Sequence, residues 1–314
     1  MADLHAKLYN GNLDSREVER AKAGQSESYP NGIPQCGTDA MRFALCAYTT
    51  GGRDINLDIM RVEGYRKFCN KIYQATKFAL MKLGQDYKPP AKEGLSGNES
   101  LVEKWILHNL SSSAKIVNEA MDKREFLPAT SQIYELWYLI CDVYIENSKY
   151  LIQEGTEKEQ KSAKDTLYTL LDNALRLIHP FMPYISEEMW QRLPRRAEDS
   201  VPTLVKAAYP TFTPEYDNVK AAKDYDLVLD ITKGARSLLA EYNILKNGKV
   251  FVETNHEESY ETAVSQKDSM VSLIKAIDEI TVVHKASEIP EGCVLASVNL
   301  SLIHIWRCRR RREC

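Results

Sequence analysis

Residues 58–83 (DIMRVEGYRKFCNKIYQATKFALMKL) constrain this chain most, because at roughly 100° per residue they carry two helical faces of opposite character. Val62, Tyr65, Cys69, Ile72, Thr76, Ala79, Leu80 and Leu83 fall in one stripe suited to a core. Met60, Gly64, Lys67, Lys71, Gln74 and Phe78 fall together on the other side. A basic face with a phenyl ring offers ammonium groups for phosphates and an aromatic plane for a base, which is what a single-stranded nucleic-acid loop needs. A phenylalanine on such a face also commonly packs beneath a neighbouring helix. Periodicity alone leaves both readings open.

A chain of 314 residues with 44% hydrophobic side chains is long enough for about two domains with a full core. Its formal net charge of -3 excludes a strongly basic field, so any nucleic-acid contact must come from a local patch. The start has no charged segment followed by an apolar run, and nowhere do about 18 apolar residues follow one another. A soluble, unexported protein without a membrane partner is expected. Its seven cysteines are scattered without a C-x-x-C pair. That usage predicts reduced thiols in the cytoplasm, several of them buried, with neither a zinc site nor a disulfide frame.

Residues 1–37 are polar and charged, with a short amphipathic helix through Leu4, Leu8 and Val18 that Pro30, Gly32 and Pro34 stop. Thr38 has the chemistry of an N-cap for a helix carrying Met41, Ala44, Leu45 and Tyr48. After a Pro- and Gly-bearing loop at 84–99, residues 101–121 and 129–151 read as helices. In the second, Ile133, Leu136, Ile140 and Val143 make an apolar stripe ending at Asn147, while Tyr138, Cys141, Ile145 and Lys149 lie opposite. Residues 167–178 give another buried stripe. That helix must end at His179, because the residue before Pro180 is pushed out of the α region. His179 is given no catalytic partner, and a packing role at the helix end is expected. Pro183 suits the first turn of the next helix.

Pro202, Pro210 and Pro214 mark a linker, beyond which the pattern changes. Helical periodicity over 219–245 and 260–277 alternates with strands at 249–253, 279–284 and 293–298, a small α+β unit. Residues 301–314 (SLIHIWRCRRRREC) depart from all of this. Their five arginines suit either a basic arm for RNA or a segment foreign to the domain, and the foreign tail is the expectation.

Four stretches are specific enough to suggest a family: NGIPQCGTDAMRFALCAYTTGGRDINLD, GYRKFCNKIYQATKFAL, ELWYLICDVYIENSK and LIHPFMPYISEEMWQRLP. Over residues 2–299 the chain resembles the C-terminal part of eukaryotic-type valyl-tRNA synthetases. The resemblance implies a mainly α fold: a class I synthetase anticodon-binding helix bundle at 38–195, followed by a small α+β subdomain at 216–300. Residues 1–37 would be a linker from the catalytic core, 196–215 a Pro-rich linker and 301–314 a non-native basic tail.

Family enzymes attach valine to its tRNA with ATP and magnesium, through HIGH-type and KMSKS motifs that do not occur here. This stretch is therefore expected to be inactive alone and to bind neither cofactor nor metal, with valine tRNA and the remainder of the synthetase as partners. By position, Phe78 matches the family aromatic that packs on an anticodon base, and Ile145 an apolar residue contacting the same nucleotide region. Where bacterial members place a base-contacting arginine this chain has Met60, and Arg61 follows roughly 100° around the helix. Because valine anticodons end in adenosine then cytidine, two splayed bases suffice for recognition. Phe78 and Ile145 would hold one base, and Arg61, Lys67 and Lys71 phosphates or base edges. The alternatives are a fragment of a related synthetase such as the isoleucine enzyme, or a helical protein-interaction scaffold.

Overall fold

The computed structural model describes all residues except 50–54, 56, 198, 291–292, 299–300 and 307–314. The entry segment folds as two helices, α1 (Ala2–Leu8) and α2 (Ser15–Ser28). The Asp14 carboxylate starts α2 by accepting the N–H groups of Arg16 (2.8 Å) and Glu17 (2.9 Å). Helix α3 (Thr38–Ala47) is entered through Gly37, whose φ of 87° suits a residue without Cβ, so Thr38 is the first helical residue and not the cap. Helix α4 (Ile59–Leu83) begins where Asp58 accepts the Met60 N–H (2.8 Å) and ends at Gly84 with φ 81°.

Helix α5 (Leu101–Asp122) opens with a capping box between Ser100 and Glu103. Next comes one long rod: α6 (Phe126–Tyr138), a π-helical turn (Leu139–Tyr144) and α7 (Ile145–Glu154). Through the middle runs α8 (Glu157–Ile178), with Leu167, Leu170, Leu171, Ala174, Leu175, Leu177 and Ile178 completely buried. It ends at Ile178 with His179 as the cap, but His179 keeps α-region dihedrals (φ -53°, ψ -41°), so the expectation that Pro180 pushes it out of that region is corrected; α9 (Pro183–Gln191) starts on Pro183. Asp39 of α3 reaches the start of α9, accepting the N–H groups of Tyr184 (3.2 Å) and Ile185 (2.7 Å). A carboxylate there meets the positive end of the helix dipole and ties two sequence-distant motifs together.

After short turns at Leu204–Lys206 and Pro214–Tyr216, α10 (Val219–Glu241) packs along α5. The Trp105 indole donates to Asp226 (3.0 Å), and its ring centre lies 4.9 Å from that of Tyr225. The sheet is built from β1 (Gly248–Glu253), β2 (Ile277–Val283), β3 (Cys293–Val298) and β4 (Ser301–Trp306), in the order β2-β1-β4-β3. β1 and β2 are parallel, joined by a crossover through α11 (Glu257–Ser265) and α12 (Lys267–Leu273); the other pairings are antiparallel. The chain is thus mainly α with a small mixed sheet, and one core runs from Phe43 in α3 to Ile305 in β4.

One further expectation is corrected here. The single helix foreseen over 260–277 is broken at Gln266, which adopts φ -108° and ψ 18°. The stretch expected to be foreign from Ser301 onward is built into the sheet, where residues 301–306 pair between β1 and β3 with Ile303 and Ile305 buried, a placement that says nothing of its origin. Strand pairing responds to alternation of apolar side chains, which SLIHIW supplies, and not to ancestry. The five arginines of the tail lie outside the described residues.

Candidate nucleic-acid interface

Helix α4 divides as its periodicity predicts, with a wider core face. Val62, Ile72, Thr76, Ala79 and Leu83 are buried, and Phe68 and Ala75 join them. On the other face Met60 is exposed and Phe78 is half-buried. Two ammonium groups flank the Phe78 ring, Lys82 at 5.7 Å and Lys149 at 5.5 Å from its centre. Lys149 comes from α7 and is held there by Glu146 (2.8 Å). The structure therefore brings Phe78 against the helix turn that follows Ile145. Lys82 lies four residues beyond Phe78, a spacing that could have marked it from sequence.

Ile145 is not on an outer face. It is 6% exposed and belongs to the core. The cause is the π-helical turn just before it: a turn closed by i→i+5 bonds holds one extra residue and sets every later side chain back by roughly 100° against a constant count. Tyr144 is consequently fully buried, its hydroxyl donating to the Ala163 carbonyl (3.0 Å). Asn147, expected as the polar end of a stripe, is buried as well. It donates to the Tyr225 hydroxyl (2.8 Å) and accepts from Ser272 (3.1 Å).

The three candidate cations differ. Lys71 pairs with Asp142 (2.8 Å) and sits 3.5 Å above the Tyr138 ring, both on the α6–α7 rod. Exposed Lys67 pairs with Glu63 of its own helix at 3.6 Å. Arg61, also exposed, lies over the Tyr48 ring at 5.3 Å, near the opposite end of α4 from Phe78. The arrangement is a basic, aromatic-bearing helix braced by a second helix, able to hold phosphates and stack a base.

Nearby thiols stay protonated. Burial pushes Cys141 up to about 12 against the pull of Lys71, and Cys69 up to about 11. His179, lowered by burial, bonds Ser186 through Nδ1 (2.8 Å) at the helix end. Among the described residues no group of three His, Cys, Asp or Glu side chains is placed to hold a metal ion.

A family profile described as the anticodon-binding domain of tRNA ligase matches residues 103–254. The match includes the α6–α7 rod and α10, and begins downstream of α4. Over 297 residues, 95% of its length, the chain is 80% identical to a mitochondrial valine–tRNA ligase of Saccharomyces cerevisiae and covers 27% of that protein. It is 57% identical over 281 residues to valine–tRNA ligase of Schizosaccharomyces pombe (89% of this chain, 29% of the relative). It is 41% identical over 296 residues to the human enzyme (93% and 23%). The chain spans about a quarter of the length of the curated relatives it matches. The mitochondrial name of the 80% relative overturns the expectation of a cytoplasmic protein. Scattered cysteines without a C-x-x-C pair do not separate cytosol from mitochondrial matrix. Identity of this extent, together with the profile match, shows that the chain belongs to the valine–tRNA ligase family and contains the anticodon-binding domain of a tRNA ligase.

Proposed function

We propose that this chain grips the anticodon arm of valine tRNA for a ligase whose chemistry is performed by other parts of the polypeptide. In that complete enzyme ATP and magnesium serve the charging of tRNA with valine, and this stretch holds neither. Phe78 stacks on one splayed base while Lys82 and Lys149 bind the flanking phosphates. Arg61 and Lys67, at the exposed end of α4, steer the RNA backbone. Lys71 fixes α4 against the rod through Asp142, and Ile145 supports the turn that presents Lys149. No observation favours the isoleucine-enzyme or scaffold alternatives.

One observation carries this reading: Phe78, partly buried against the core, keeps its ring beside two ammonium groups, 5.5 and 5.7 Å from its centre, on a helix with a basic outer face. The test is binding of Phe78→Ala to valine tRNA and to the same tRNA with an altered anticodon. Loss of stacking is expected to cost about 1–3 kcal/mol and to reduce the preference for the native anticodon. Wild-type affinity and preference in this variant would refute the assignment.

A further inference from the structure

Helix α4 holds six basic residues (Arg61, Arg66, Lys67, Lys71, Lys77 and Lys82) and one acidic residue, Glu63, in a chain whose net charge is -3. Four of the six are engaged within the molecule: Arg61 over Tyr48, Lys67 with Glu63, Lys71 with Asp142 and Lys82 beside Phe78. Arg66 and Lys77 are exposed and have no side-chain partner among the described residues. They lie on a stripe with Asn70, Tyr73 and Met81, opposite the core and roughly 90° around the helix from Phe78. Tyr73 is 40% exposed, and among the described residues it makes neither a hydrogen bond nor a ring contact. Arg66, Lys67 and Asn70 also border a surface hollow. At 1.5 Å per residue the two free cations stand about 10 Å and 6 Å along the axis from Tyr73.

We infer that Arg66, Tyr73 and Lys77 form a second track on α4, binding the sugar–phosphate backbone and one further unpaired base of the same RNA loop that Phe78 contacts. The inference rests on the RNA reading given above. Charge complementarity selects the occupant: a polyanion is the partner for a helix with six basic groups and one acidic group. Continuity supports it, because a single strand crossing from the Phe78 stripe to this one stays on the same helix. Two free cations suit phosphates, which carry no sequence information, and an exposed phenol ring stacks any base. This track therefore contributes affinity and register, leaving anticodon choice to the Phe78 side.

The test uses the whole chain with valine tRNA and its anticodon-altered counterpart across a salt titration. The double variant Arg66→Ala/Lys77→Ala is expected to lower the slope of log affinity against log salt by about 1.4, equally for both RNAs, with their ratio unchanged. Tyr73→Ala is expected to weaken both by about 5- to 150-fold, and Tyr73→Phe to bind as the parent does. All three side chains are exposed, so circular dichroism should be unaltered. An unchanged slope in the double variant, while Phe78→Ala still binds poorly, would overturn the track alone. If the parent chain shows no salt-dependent binding to either RNA, or prefers an acidic protein surface, the RNA reading fails and the track fails with it. Equal losses in Tyr73→Ala and Tyr73→Phe would refute stacking.

Discussion

At Phe78 and Ile145, two side chains that the family resemblance assigns to one nucleotide region occupy different environments. The first is half-buried between ammonium groups; the second is 6% exposed in the core. They should respond differently to truncation. Ile145→Ala is expected to lose about 2–5 kcal/mol of stability in urea unfolding, with RNA binding following the folded fraction. Phe78→Ala should change binding far more than stability, and the reverse pattern would exchange their roles. Glu103 gives a pH signature. Its carboxylate accepts from the Ser100 N–H (2.8 Å), Ser162 (2.9 Å) and Thr166 (3.2 Å), yet burial outweighs these bonds and raises its pKa above 4.5. The folded protein therefore holds this proton more tightly than the unfolded chain does. The resulting stability is fully present below pH 4.5 and is lost as pH rises through the folded value. Urea unfolding of parent and Glu103→Gln between about pH 4 and pH 7 should show the parent losing ground with rising pH. A constant difference would mean that Glu103 does not titrate in this range.

Among the elements, α4 was legible because its core face repeats at one period over its whole length. The rod was not, since a constant 100° per residue assumes no inserted turn. The π-helical turn at Leu139–Tyr144 therefore sent Ile145 inward against that count. Nor could local pattern show that Lys71 meets Asp142, 71 positions away, because pairing across such a separation is decided by packing. The same limit hid the junction of α3 with α9. Asp39 reads locally as an acidic residue in a first turn, whereas its oxygens accept two N–H groups of Tyr184 and Ile185. Asp39→Ala is expected to lower stability by about 1–2 kcal/mol, as other lost caps do, and thermal unfolding would measure it. A variant melting at the parent temperature would mean that α9 is seated by apolar contacts alone.

At the scale of the whole molecule, charge is local. A chain of net charge -3 nevertheless presents one helix with six basic residues, a concentration of charge that overall composition does not locate. Packing is continuous, because α10 is tied to α5 of the bundle through Trp105, Asp226 and Tyr225 and also packs against β3 and β4 of the sheet. Tryptophan fluorescence and far-ultraviolet circular dichroism should therefore report coincident unfolding curves. Two resolved transitions would instead show that the sheet unit melts independently.

The inserted turn in the rod also bears on how residues are matched between relatives. A sequence lacking the extra residue superposes on α7 only when a one-position gap is opened within residues 139–144. Ungapped counting from α6 would assign the role of Ile145 to a neighbour that points elsewhere, so numbering transferred across this helix should be anchored on α7 itself.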